Sequence, residues 1–139
     1  MAQLVTQRIR MAEDSDTAKK RILKEVGSLK SIDVYFNQIL CAQYIRDGGE
    51  SKTKGGIIIP VATEKEDIYQ GTCALVLKLG PMAFQDDHRN NFRGQIVAPM
   101  DWVVFRNSDG FSLVVGSWLC KIVEDSHIKL RVPAPDTVL

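Results

Sequence analysis

Asp86-Asp87-His88 is the one compact group of carboxylate and imidazole side chains in this sequence. Such groups can ligate a metal or relay a proton. Sequence neighbours seldom converge on one ion, however, and no matching ligand pattern stands elsewhere, so no metal is expected. His127 falls on the outer face of an expected final strand and reads as a surface histidine. The pairs Gly48-Gly49 and Gly55-Gly56 have the composition of a phosphate cradle. Yet there is no G-x-x-x-x-G-K-[ST], no G-x-G-x-x-G and no βαβ context around them. A G-x-S-x-G nucleophile elbow is also missing. Cys41, Cys73 and Cys120 are odd in number, far apart and set among apolar residues, the pattern of reduced core thiols. Nothing marks a reaction: the expectation is a non-enzyme without a cofactor.

Apolar contact is the chemistry that remains. Residues 47–56, DGGESKTKGG, hold four glycines in ten positions and almost no apolar side chain, a composition that leaves a segment mobile. Ile57-Ile58-Ile59 follow at once, and Pro60 stops the run. Each isoleucine, fully buried, is worth about 1.5–3 kcal/mol. Two readings stand: a short core strand leading into Pro60-Val61-Ala62, or a loose arm whose isoleucines enter an apolar groove on a partner. A single arm would bind weakly because ordering it consumes much of the gain. Several arms on one ring would bind well and still release.

The elements that position these residues are mostly strands. The span 14–29, DSDTAKKRILKEVGSL, is expected to be a helix. Asp14, Ser15 or Asp16 caps it, and Ala18, Ile22, Val26 and Leu29 form one face. That face packs on its own or a neighbouring domain; the basic side, with Lys19, Lys20 and Lys24, could instead meet a membrane surface or nucleic acid. From Ile32 the pattern is β. Residues 33–45 read as a long strand or a bent pair of strands, and Cys73, Leu75, Leu77 and Leu79 share a face opposite Lys78. Strands at 102–105 and 111–115 flank the turn Arg106–Gly110, followed by 117–123. In 127–132, Ile128, Leu130 and Val132 point inward. Short strands divided by Gly-marked turns suggest a small β-barrel or sandwich. Two connections, 47–71 and 80–101, exceed simple hairpins, and the second carries Met82, Phe84 and Phe92 with room for a hairpin of its own. The chain divides into an N-terminal extension (1–31) and a β domain (32–139). The extension is basic, with seven Lys/Arg against four Asp/Glu through Lys30, while the whole chain of 139 residues has a net charge of only +1. Near neutrality argues against a dedicated nucleic-acid binder. No apolar run reaches the roughly 20 residues that span a bilayer, and the opening residues lack the apolar core of a secretory leader. A cytoplasmic protein is expected.

The order of the blocks carries a resemblance. A first strand is followed by Gly55-Gly56-Ile57-Ile58-Ile59, then Tyr69–Pro81 (YQGTCALVLKLGP), then Asp101-Trp102-Val103-Val104-Phe105, then Val123–Val132 (VEDSHIKLRV). Over about 33–133 this resembles the GroES-type co-chaperonins in their divergent, bacteriophage-encoded form. The resemblance implies a mainly β, GroES-like barrel with a long mobile loop and a roof hairpin, assembled as a heptameric ring. The ring would cap a GroEL-type chaperonin during ATP-dependent folding of clients. The loop's Gly55, Gly56, Ile57, Ile58 and Ile59 would dock on the chaperonin. Terminal strands would meet between subunits through Val34, Phe36, Ile39, Cys41, Ile128, Leu130 and Val132. Met82, Phe84 and Phe92 would belong to the roof, lining the cage or buried. Two departures stand out: the added N-terminal helix, and Met100 where the family usually has glycine before the aspartate. The alternative is a virion structural or decoration protein that kept the barrel and uses helix and arm as ties. The location would then be the host cytoplasm or the virion.

Overall fold

The computed structural model describes residues 14–45, 50–52, 58–60, 71–88 and 90–138. Helix α1 spans Ser15–Val26. Asp14 sits at its N-cap in extended backbone, and its carboxylate accepts the Thr17 N–H at 3.3 Å, satisfying a donor that a helix start leaves open. Ala18, Ile22 and Val26 recur every fourth residue and are all buried. The helix ends before the expected Leu29. Gly27 adopts φ +80° and donates its N–H to the Leu23 carbonyl at 3.0 Å, a terminus that only glycine forms without strain.

The rest is mainly β. The strands are β1 (Gln38–Gln43), β2 (Glu50–Lys52), β3 (Ile58–Pro60), β4 (Gly71–Leu79), β5 (Trp102–Arg106), β6 (Phe111–Val115), β7 (Trp118–Glu124) and β8 (Leu130–Val132). They pair in the order β2-β3-β7-β1-β4-β5-β8, with β6 also on β7. Every ladder is antiparallel except β3–β7. Among the described residues no ladder joins β8 to β2, so the hydrogen-bonded order is that of an open sheet.

Apolar side chains fill both faces of the central strands. Along β1, Leu40 and Ala42 join a cluster with α1, Leu75, Leu77, Trp102, Trp118 and Cys120. Ile39 and Cys41 join a second cluster with Ala74, Val76, Val97, Val103, Phe105 and Val123. The helix thus covers one face, sharing its core, and the 80–101 segment covers part of the other through Ala83, Phe84 and Val97. A sheet covered on both faces reads as a continuous apolar run, which is why residues 39–42 and 74–77 show little polar alternation.

Several sequence expectations need correction. Residues 33–45 are neither a long strand nor a strand pair but hold the single strand β1: Phe36 takes φ +60°, the Gln38 N–H reaches the Tyr35 carbonyl at 3.3 Å, and β1 starts only there. The alternation of β4 breaks at a bulge. Leu40 opposes Lys78 and Cys41 opposes Val76, leaving Leu77 as an extra residue. One inserted residue reverses the side-chain parity beyond it, so Leu77 packs in the first cluster and Leu79 against the second. Lys78 is no plain outer-face residue: its ammonium donates to the carbonyls of Leu29, at 2.8 Å, and Ile32. The expected strand 127–132 is shortened by a 3-10 turn at Asp125–His127, and Leu130, expected inward, is exposed. The 80–101 segment contains no strand among its described residues; turns hold it together.

Candidate functional site

The arm is described at its two short strands. Ser51 opposes Ile59 and Lys52 opposes Ile58 in the antiparallel β2–β3 ribbon. Among the described residues, the ribbon's ladder to the remaining sheet is one pair, Ile58 with Trp118. It occupies the edge that β1 vacates, because the β1–β7 pairing ends at Ala42 and Cys120. Of the five arm residues, Ile58 and Ile59 therefore stand in β3, flanked by β2 and β7. Gly55, Gly56 and Ile57 lie outside the described residues.

The base of the arm is built more firmly. Ile45, the last described residue before β2, is buried, and the Arg21 guanidinium donates to its carbonyl. Trp118 is fully buried and donates its indole N–H to the Gln43 carbonyl at 2.8 Å. The Arg21 guanidinium lies over the same indole, 5.4 Å from the ring centroid.

The residues assigned to subunit contacts divide. Phe36 and Leu130 are exposed, Tyr35 beside Phe36 likewise, and Val34, Ile128 and Val132 are half-buried. Ile39 and Cys41 are fully buried in the second cluster. Their strand is flanked by β4 and β7, so neither offers surface to a neighbour. β8 pairs with β5 and ends the sheet order.

The roof residues are brought together. Phe84 and Phe92 meet edge to face at 5.2 Å, and Met82 is exposed beside Phe36, whose carbonyl accepts the Met82 N–H at 3.0 Å. Asp125 ties this segment down. It is buried, and its carboxylate accepts the Phe84 N–H at 3.0 Å and the Asn37 amide at 3.1 Å. A cleft of about 730 Å³ lies between segment and sheet, lined by Phe84, Phe92, Ile96, Val97 and Leu130 with Lys129 and Arg131 at its side. Its one buried carboxylate is thus already engaged, and what the cleft offers is apolar and cationic surface.

Asp86 and Asp87 build turns. Asp86 accepts the Phe92 N–H at 2.7 Å, and Asp87 accepts the Asn90 N–H at 2.8 Å. Among the described residues no three His, Cys, Asp or Glu side chains gather as a metal site. His127 accepts the Glu124 N–H through Nδ1 at 3.1 Å. Burial pushes the thiols of Cys73 and Cys120 up to about 12 and that of Cys41 higher still, which keeps them protonated and unreactive. Lys121 is buried between the Asn107 carbonyl, to which it donates, and the Phe105 ring at 5.6 Å. Burial lowers its pKa against the pull of Asp109, yet it does not line the cleft. No described helix is long and apolar enough to cross a membrane.

Sequence reasoning missed Asp125, Arg21 and Lys121. Each acts through residues distant in sequence, and no local spacing announces such a contact.

A turn connects the roof segment to β5. The Asp101 N–H reaches the Ala98 carbonyl at 3.1 Å with Pro99 and Met100 between, and Met100 takes φ +78°. This is the type II form, whose third position favours glycine. A scan of the sequence against protein-family models gives no match, and a search of the curated proteins gives none either.

Proposed function

We propose that this protein is a co-chaperonin: a homo-oligomeric, heptameric lid that caps a GroEL-type chaperonin and assists ATP-dependent folding, without bond chemistry of its own. The observation that carries the reading is the placement of the aliphatic triplet. Ile58 and Ile59 sit in the three-residue β3, between β2 and β7, and among the described residues one residue pair joins it to the main sheet. A ribbon so lightly held can be given up to a partner's groove at small expense. Met100 supports the resemblance from another side. The position where the family usually carries glycine adopts a glycine-type backbone here, so the turn before Asp101-Trp102 keeps its form without its usual residue. The exposed Phe36 and Leu130 give surface where neighbouring subunits of a ring would meet; Ile39 and Cys41 drop out of that interface. The GroES-like barrel belongs to this proposal.

The test is capture of the full-length protein by a GroEL-type chaperonin with and without nucleotide. Wild type should associate only with nucleotide. Replacing Ile57, Ile58 and Ile59 by serine should abolish capture while leaving the oligomer intact on a sizing column. Retained capture by the triple variant, or none by wild type, overturns the proposal. Copurification with assembled particles would favour the virion alternative, which has lost one of its supposed ties because α1 is committed to its own sheet.

A further inference from the structure

The two attachments of the arm pass through one guanidinium. Outgoing, the chain leaves β1 at Gln43 and passes through Ile45, whose carbonyl accepts from Arg21. Returning, Ile58 opposes Trp118, and the Trp118 indole both bonds the Gln43 carbonyl and lies beneath Arg21. Arg21 stands on α1 beside Ile22, a fully buried anchor, and α1 is fixed at both ends. At its start the Trp102 indole donates to Ser15 Oγ at 2.8 Å; at its end Ser117 donates N–H to the Glu25 carbonyl at 3.0 Å and its hydroxyl to the Glu25 carboxylate at 2.6 Å. Few side chains could hold both attachments. A guanidinium has a flat, weakly hydrated face for the indole and in-plane donors for the carbonyl; an ammonium has no such division.

We propose that Arg21 is a positioning residue that pins the base of the β2–β3 ribbon to α1, so that the helix outside the resembled region governs how firmly the aliphatic arm is held. The pin concerns the arm's own order. Its consequence for chaperonin docking rests on the proposed function.

Hydrogen exchange of the full-length protein tests this in wild type, Arg21→Met and Arg21→Lys. Methionine keeps the aliphatic stem that packs along the helix. Losing the stacked cation and its charge-assisted hydrogen bond should speed exchange at Glu50–Lys52 and Ile58–Ile59 by about tenfold or more. Lysine should fall between, and β4 and β5 should keep wild-type rates. Unchanged ribbon exchange overturns the pin. So does a rise spread evenly over β4 and β5, which would make Arg21 an ordinary stabiliser, and so does a wild-type ribbon exchanging at the free-peptide rate. Should Arg21→Met fail to fold, Arg21→Lys decides by the same comparison. The two proposals fail separately: a localised rise together with no chaperonin capture by wild type keeps the pin and removes the co-chaperonin.

Discussion

Gly116 offers the sharpest test of how the added helix is joined to the sheet. It lies in the β6–β7 turn with φ +63°, and a Cβ placed there would stand 2.3 Å from the Glu25 carbonyl oxygen and 2.5 Å from that of Val26. Both are backbone atoms at the end of α1, so relief requires the helix end and the turn to part. Gly27 is the control: φ is +80°, but a Cβ there meets nothing within 4 Å. Gly27→Ala should therefore cost only the left-handed strain, about 1–2 kcal/mol. Gly116→Ala adds overpacking of about 1–3 kcal/mol and weakens the Ser117 bonds to Glu25 by about 1 kcal/mol. The sum is about 3–6 kcal/mol, a large share of the roughly 5–15 kcal/mol that holds a domain folded. In thermal melts followed by circular dichroism and tryptophan fluorescence, Gly27→Ala should lower the midpoint by about 3–8 °C and Gly116→Ala by about 9–24 °C. Equal losses would refute the claim that the turn needs glycine in order to approach the helix.

Two further outcomes are expected. Met100→Gly should be more stable than Met100→Ala by about 1 kcal/mol in urea titrations, reversing the usual order, because both lose the half-buried side chain and only glycine removes the strain at φ +78°. Asp109 governs part of the acid limb. Burial alone would raise its pKa, but the Arg106 N–H at 3.2 Å, the electrostatic pull of nearby His127 and the Arg106 guanidinium leave it below the ordinary value. Its contribution to stability is therefore present above the unfolded carboxyl pKa of about 4 and is lost as pH falls through the lower folded value. Asp109→Asn should flatten the decline of the urea midpoint below about pH 4; an unchanged acid limb would count against that role.

Features written in short-range pattern were legible from the sequence. The four-residue spacing of Ala18, Ile22 and Val26 marked the helix and its buried face, and Asp14, one of three candidate caps, is the one at its start. Most of the strands and the Asp109-Gly110 turn were also readable, because a turn residue and a period of two act over a few positions. The same locality explains the failures. A bulge depends on the partner strand's register, so nothing within Gly71–Leu79 reveals that Leu77 is the extra residue. Nor could the exposure of Leu130 be seen, since it follows from the turn at Asp125, which Asn37 and Phe84 hold from far along the chain.

The candidate site divides along the same line. The glycine-rich leader and the isoleucine triplet are plain in the sequence, and so is their suitability for a reversible apolar contact. Where the arm is rooted is not. The convergence of Arg21, Ile45, Gln43 and Trp118 joins a helix, the end of β1 and the start of β7. By itself the sequence determined the helix and most of the strands, because those choices rest on neighbours a few residues apart. Only the tertiary structure decided which buried polar groups find one another, because an isolated guanidinium or carboxylate is stable in a core only when distant parts of the chain bring its partners within reach.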